Sequence, residues 1–210
     1  MRVPDGSGVA VADLLDRRWL PFALALLLGL SAAGMGIYAG ADSAEQARLA
    51  ARWTARAGLP LFLIAYLASS LLRLKKTDIT RALMRRRRQW GLGFALAHSI
   101  HLVALAANVL VFAPRALTSL IAGGLVYLLI YAMALTSNDT AMRMLGQWWK
   151  RLHTLGIHSI WAVYALSYTG KLTNPDQILA GAVLAPVMFG ALGLRLYVRY
   201  GRRIEIMAKP

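Results

Sequence analysis

Cysteine is absent from the 210-residue chain. That excludes disulfides, thiolate metal sites and cysteine redox chemistry. Acidic residues are scarce, nine Asp and Glu against 24 Lys and Arg, for a formal net charge of +15. Charge of either sign is missing altogether from six long stretches, roughly 19–41, 57–72, 90–113, 117–135, 154–169 and 178–194. No pair of carboxylates and no nucleophile with a neighbouring base suggests hydrolysis or group transfer. No GxGxxG stretch occurs in a strand–helix context, so no nucleotide-binding domain is recognisable. Internal repeats and low-complexity tracts are also lacking.

What remains is strongly apolar: 58% of the residues are hydrophobic, against about one half in a soluble domain. A bilayer core needs about 20 apolar residues per helix, and lipid forces a spanning segment to satisfy its own backbone. The six stretches therefore predict an all-α fold, an integral membrane bundle of six transmembrane helices. The stretch 154–169 is short unless Trp148, Trp149 and the stem of Lys150 form its interfacial end. The first run follows Arg17-Arg18 and ends in small residues, as a signal peptide does. Its length of over 20 residues predicts a retained membrane helix instead.

Where the basic residues lie explains the net charge. Six spans put both termini on one side. If that side is cytoplasmic, nineteen of the 24 basic residues fall inside and five, Arg48, Arg52, Arg56, Arg115 and Lys171, fall outside. This is the positive-inside asymmetry, and it removes the need for nucleic acid as a partner. The run RRRR at 85–88 then reads as a topological anchor facing acidic lipid headgroups. The expected layout is a cytoplasmic segment 1–18, a six-span domain 19–197 and a basic cytoplasmic tail 198–210, in a bacterial-type inner membrane. The basic, amphipathic segment 41–56 is expected to lie along the outer surface. Asn174-Pro175 marks a turn.

All four histidines fall on two of the six spans. His98 and His101 lie in FALAHSIHLVAL (94–105), and His153 and His158 in the fifth span. A buried imidazole costs free energy unless it is hydrogen-bonded or ligated. Residues three apart on a helix share a face, so His98 and His101 can address one neighbour. Five residues give about 140° net, so His153 and His158 need separate partners. From the helical rise, His98 lies roughly 13 Å deep and His158 about 12 Å, whereas His101 is roughly 18 Å deep and His153 about 5 Å. Depth favours His98 with His158 as two ligands of one metal group, and tilt leaves His101 with His158 open. Carboxylate and thiolate companions are missing, which disfavours zinc or magnesium. Histidine ligands in apolar surroundings suit a low-spin haem. Hydrogen-bonded histidines without a ligand are the plainer alternative.

Two segments carry a resemblance. RRRRQWGLGFALAHSIH (85–101) is similar to a basic loop, a Gly-Leu and a histidine-bearing helix. ALTSNDTAMRMLGQWWKRLHTLGIHSIWAVYALSY (134–168) is similar to Leu-Thr-Ser, Leu-Gly and Trp-Lys-x-Leu-His. Both patterns are those of the ferric reductase-like transmembrane domain family. That family includes the membrane haem subunit of a bacterial methionine sulfoxide reductase system and the membrane part of NADPH oxidases. The resemblance implies b-type haem between the third and fifth spans and electron transfer across the membrane. His101 matches the family's third-span ligand and His153 its first fifth-span ligand. His98 and His158 sit beside those positions. The second fifth-span histidine would fall near Leu166 or Ser167, which points to one haem b rather than two. Arg87, Arg88, Lys150 and Arg151 flank the histidine-bearing helices, where they can pair with haem propionates.

The expected function is electron transfer by a membrane haem b protein. The donor is a separate cytoplasmic reductase or a quinol, and the acceptor is an outer protein or small molecule. No motif supports a flavin or quinone site. The first rival is a haem-free membrane scaffold or assembly subunit. A small transporter is the second, disfavoured because no span holds an acidic residue.

Overall fold

The computed structural model describes residues 6–201. Arg2 and the tail residues Arg202, Arg203 and Lys209 lie outside the described residues. The described chain is helical throughout, with no strand. Ten α-helices follow in order: α1 (Gly6–Leu15), α2 (Leu20–Ala39), α3 (Ser43–Ala57), α4 (Leu59–Leu74), α5 (Asp78–Arg85), α6 (Arg87–Ala107), α7 (Leu117–Leu135), α8 (Asp139–Leu145), α9 (Gln147–Gly170) and α10 (Ile178–Leu196). Single π-helical turns extend α6 (Asn108–Phe112) and α10 (Tyr197–Gly201).

Polar side chains set the breaks between these helices. The Asp42 carboxylate caps α3 by accepting from Glu45 N at 2.8 Å. Thr77 and Thr80 form a reciprocal capping box on α5. Asn138 caps α8 by accepting from Ala141 N. Gly146 ends α8 at φ +51°, in the left-handed region that favours glycine.

Four helices are long and apolar enough to cross a membrane: Leu20–Ala39, Ser43–Leu74, Arg87–Phe112 and Pro175–Gly201. The strongly bent pair α7 and α8 makes five if it counts as one span. Helix α9 starts at Gln147, so Trp148, Trp149 and Lys150 do belong to it. Large apolar side chains face outward along these helices, among them Leu27, Leu30, Val103, Leu128 and Leu179. In water such a surface would aggregate, but in lipid it costs nothing.

The chain divides into two compact units, residues 6–68 with 77–122, and 69–76 with 123–201. In the first, α2, α3 and α6 pack mutually, and α1 packs on α5. Small residues allow the close approach that drives helix association in lipid. Gly36 of α2 faces the backbone of Ala50 in α3, and Gly93 of α6 faces the Pro21 carbonyl of α2. Asp16 closes this unit at the foot of α1. Its Oδ2 accepts from Arg85 Nε and Nη2 at 3.1 and 3.0 Å, and Arg86 Nε donates to its backbone oxygen at 2.6 Å.

The segment 41–56 forms α3, and that helix is packed into the first unit. Helix α3 buries Ala50, Ala51 and Thr54 against α2 and α6. It also continues into α4 with only Gly58 between them, so Ser43–Leu74 reads as one apolar span. Amphipathicity identified the helix correctly. The buried face is made of alanine and threonine, which pattern alone reads as weakly apolar.

In the second unit, α9 packs on α10. Trp161 Nε1 donates to the Met188 carbonyl at 2.8 Å. Gly156 sits against Met133 of α7, with no room for a side chain. Ile160, Tyr164, Ala165 and Tyr168 continue the buried face of α9, and the Tyr164 and Tyr168 rings stack 5.9 Å apart.

Candidate functional site

Helix α6 brings His98 and His101 together, with ring centroids 5.6 Å apart and edge-on. His98 is buried, its ring 4.2 Å from that of Phe94. Phe94 in turn meets Phe62 at 5.5 Å, and Phe62 stacks on Tyr66 at 5.2 Å. A continuous aromatic ladder thus runs from α4 to the two imidazoles, each contact adding about 0.5–1.5 kcal/mol beyond area burial.

His101 has a partner that sequence reading missed. Its Nδ1 lies 3.0 Å from Oγ1 of Thr54 on α3. Thr54 is fully buried, and its hydroxyl donates to the Ala50 carbonyl at 2.7 Å. The contact ties the imidazole of α6 to the buried hydroxyl of α3. Nothing local marks Thr54 in the sequence. It becomes visible only once α3 is known to pack on α6.

Helix α9 treats its two histidines differently. The His153 ring stacks on Trp149 at 4.0 Å, and its Nε2 lies 3.3 Å from Thr136 Oγ1. The Thr136 hydroxyl donates to the Ala132 carbonyl at 2.7 Å, so it accepts from His153 Nε2–H. Trp149 Nε1 donates to the Thr136 carbonyl at 2.9 Å. The Leu-Thr-Ser turn and the Trp-Lys-x-Leu-His stretch, far apart in the pattern that carries the resemblance, are thus locked together. Trp149 is a structural tie here, whereas Trp148 is exposed under the Arg151 guanidinium.

His158 turns another way, as its rotation about the helix predicts. Its Nδ1 lies 2.8 Å from the Thr154 carbonyl. A carbonyl only accepts, so the proton is on Nδ1 and the lone pair is on Nε2. Leu166, near which a further family histidine would fall, is 73% exposed and points away from the buried face of α9.

Among the flanking cations, Arg87 Nε donates to the Ala65 carbonyl of α4 at 2.9 Å. Arg88 is exposed. No three His, Cys, Asp or Glu side chains converge on a common point among the described residues. A protein-only metal centre is therefore not built here, but a haem asks only for one or two axial imidazoles. Imidazoles with Nδ1–H held by a fixed oxygen and Nε2 carrying the lone pair have the required donor chemistry. His158 Nδ1 is held by the Thr154 carbonyl, and His101 Nδ1 lies beside Thr54 Oγ1.

No family model matches the chain, and no solved structure matches it. Curated relatives do. It is 30% identical to the protein-methionine-sulfoxide reductase heme-binding subunit MsrQ of Salmonella enteritidis, over 78% of this chain and 81% of the relative. The chain belongs to the MsrQ family. The MsrQ of Cronobacter sakazakii is 31% identical over 77% of this chain and 84% of its own length. That of Pectobacterium carotovorum is 32% identical over 60% and 69%. MsrQ relatives are named as heme-binding subunits of a reductase, which agrees with the ferric reductase-like resemblance of the two histidine-bearing segments.

Proposed function

We propose that this chain is the membrane electron-transfer subunit of a methionine-sulfoxide-reducing system and holds one haem b. It takes electrons from a separate cytoplasmic reductase or a quinol and passes them to an outer acceptor. The names of its relatives point to a protein-methionine-sulfoxide reductase as that acceptor. The six charge-free stretches support six spans, with α7 and α9 completing the set, and cytoplasmic termini in an inner membrane then give the positive-inside asymmetry. When bound, a low-spin haem supplies a one-electron couple that needs no protein acid or base.

The observation that carries this reading is the Nδ1 contact of two histidines on the third and fifth apolar segments. His101 Nδ1 lies 3.0 Å from Thr54 Oγ1 and His158 Nδ1 lies 2.8 Å from the Thr154 carbonyl, oxygens of the kind that orient metal-binding imidazoles. Each is proposed as a residue that would hold a haem iron. His153 commits Nε2 to Thr136 and so anchors α9 to α7. His98 is a packing neighbour on the aromatic ladder. The arginines at 87 and 88 and the cations Lys150 and Arg151 remain the groups to meet propionates, by charge alone.

A pyridine haemochrome assay and a dithionite-reduced spectrum of the purified protein test the proposal. One b-type haem per chain is expected. His101→Ala and His158→Ala should each lower haem retention, while His98→Ala and His153→Ala keep it. A folded protein that stays colourless after haem is supplied would replace this reading with the haem-free scaffold.

A further inference from the structure

In the first unit, the start of α3 and the π-helical turn after α6 border an open recess of about 410 Å³, within the size range of small-ligand sites. Asp42, Glu45, Arg48, Asn108, Phe112 and Ala113 line it. Asn108 is only 5% exposed, yet its carboxamide makes no hydrogen bond among the described residues. Its residue lines the recess, where a ligand offering both donor and acceptor would engage the amide. The turn that holds it, Asn108–Phe112, closes with Ala113 N donating to Asn108 O at 2.8 Å. Such π turns recur at functional sites.

The charged groups around Asn108 are of both signs. Glu45 Oε1 pairs with Arg48 Nη2 at 2.7 Å, and its Oε2 accepts from Ala41 N. Asp42 uses Oδ1 on Glu45 N, which leaves Oδ2 as an acceptor. Arg48 keeps donors beyond the one given to Glu45. Two carboxylates and one guanidinium favour a ligand with an ammonium and a phosphate over one with a phosphate alone. Beside the polar groups, Leu110, Val111 and Phe112 are exposed on the apolar flank, where a candidate membrane span ends.

We propose that this recess binds the head group of a primary-amine phospholipid of the phosphatidylethanolamine class. The ammonium sits between Asp42 and Glu45 and donates to both. The phosphate meets Arg48, and the Asn108 amide donates to a glycerol ester carbonyl. The acyl chains run along Phe112 and the apolar flank of the π turn. A choline head group has no N–H to give the carboxylates, and a glycerol head group brings no positive charge. The site needs α3 and α6 to end at a lipid–water interface, but it does not depend on the haem.

Native mass spectrometry of the full chain in detergent, titrated with dioctanoyl phosphatidylethanolamine, phosphatidylcholine and phosphatidylglycerol, tests this. The ethanolamine lipid should bind at one site, about tenfold tighter than either of the others, as expected for charge-assisted hydrogen bonds. Glu45→Gln keeps an acceptor for Ala41 N and should erase most of that preference. Asn108→Leu should weaken all three lipids alike, because the ester carbonyl is common to them. Equal or tighter binding of phosphatidylglycerol, or a preference unchanged by Glu45→Gln, would overturn the proposal. So would no saturable binding by a protein whose thermal transition shows it folded. Haem content, measured separately, reports on the electron-transfer reading whatever the lipid result.

Discussion

Across the contact of α3 with α6, His101 Nδ1 sits 3.0 Å from Oγ1 of the fully buried Thr54. Thr54 therefore helps fix the rotation of the imidazole. Thr54→Val keeps the shape and removes the hydroxyl. Partners of this kind are worth about 10–100-fold in ligand affinity, so haem titration of the variant should show a loss in that range. Thr54→Ser should restore it. Unchanged affinity in Thr54→Val would remove His101 from the ligand set.

Thr136→Val supplies the contrast. It deletes the hydroxyl facing His153 Nε2 but keeps the backbone carbonyl that holds Trp149. The expected cost is about 0.5–1.5 kcal/mol of stability, with the haem spectrum unaltered. Denaturant unfolding monitored by tryptophan fluorescence, run beside absorbance, separates the two effects.

Helix contacts in the first unit depend on missing side chains. A Cβ on Gly36 would collide with the Ala50 backbone, and one on Gly93 would come within 2.7 Å of the Pro21 carbonyl oxygen. Gly36→Ala and Gly93→Ala should each destabilise by about 1–3 kcal/mol. Gly34, on the same helix as Gly36, has nothing within 4 Å. Gly34→Ala should be neutral or stabilising, by up to about 1 kcal/mol. Thermal unfolding in detergent ranks the three.

Arg85 hydrogen bonds hold the Asp16 carboxyl below its ordinary 3.8, with partial burial opposing them and the Arg86 charge assisting. A carboxyl depressed in the folded state stabilises it above the unfolded pKa, and that contribution disappears as pH falls through the folded value. The docking of α1 on α5 should therefore be insensitive to pH near neutrality and loosen only below about pH 4. Hydrogen exchange across residues 6–16 should rise on acidification. Asp16→Asn should show the faster exchange already at neutral pH and lose the acid dependence.

Much of the helical layout was legible from residue order. The apolar runs 117–135 and 178–194 correspond to α7 and α10 almost residue for residue, because a charge-free run of that length has only a helix available to it in lipid. Trp148 and Trp149 were correctly read into the fifth helix. The segment 41–56 was correctly read as a helix, but its packing on α2 and α6 was not legible, since its buried residues are small and mix with arginines. At the candidate site, the shared face of His98 and His101 and the divergence of His153 from His158 both followed from 3.6 residues per turn.

The amino-acid order by itself determined that the chain is helical and apolar, and it singled out the four histidines. Those properties depend on local composition and period, which a single strand of letters contains. Only the tertiary structure decided what each imidazole does. Thr54 is 47 positions from His101, and Thr136 is 17 from His153. Which nitrogen keeps a proton depends on the oxygen that packing brings beside it, and packing joins residues that the chain keeps apart.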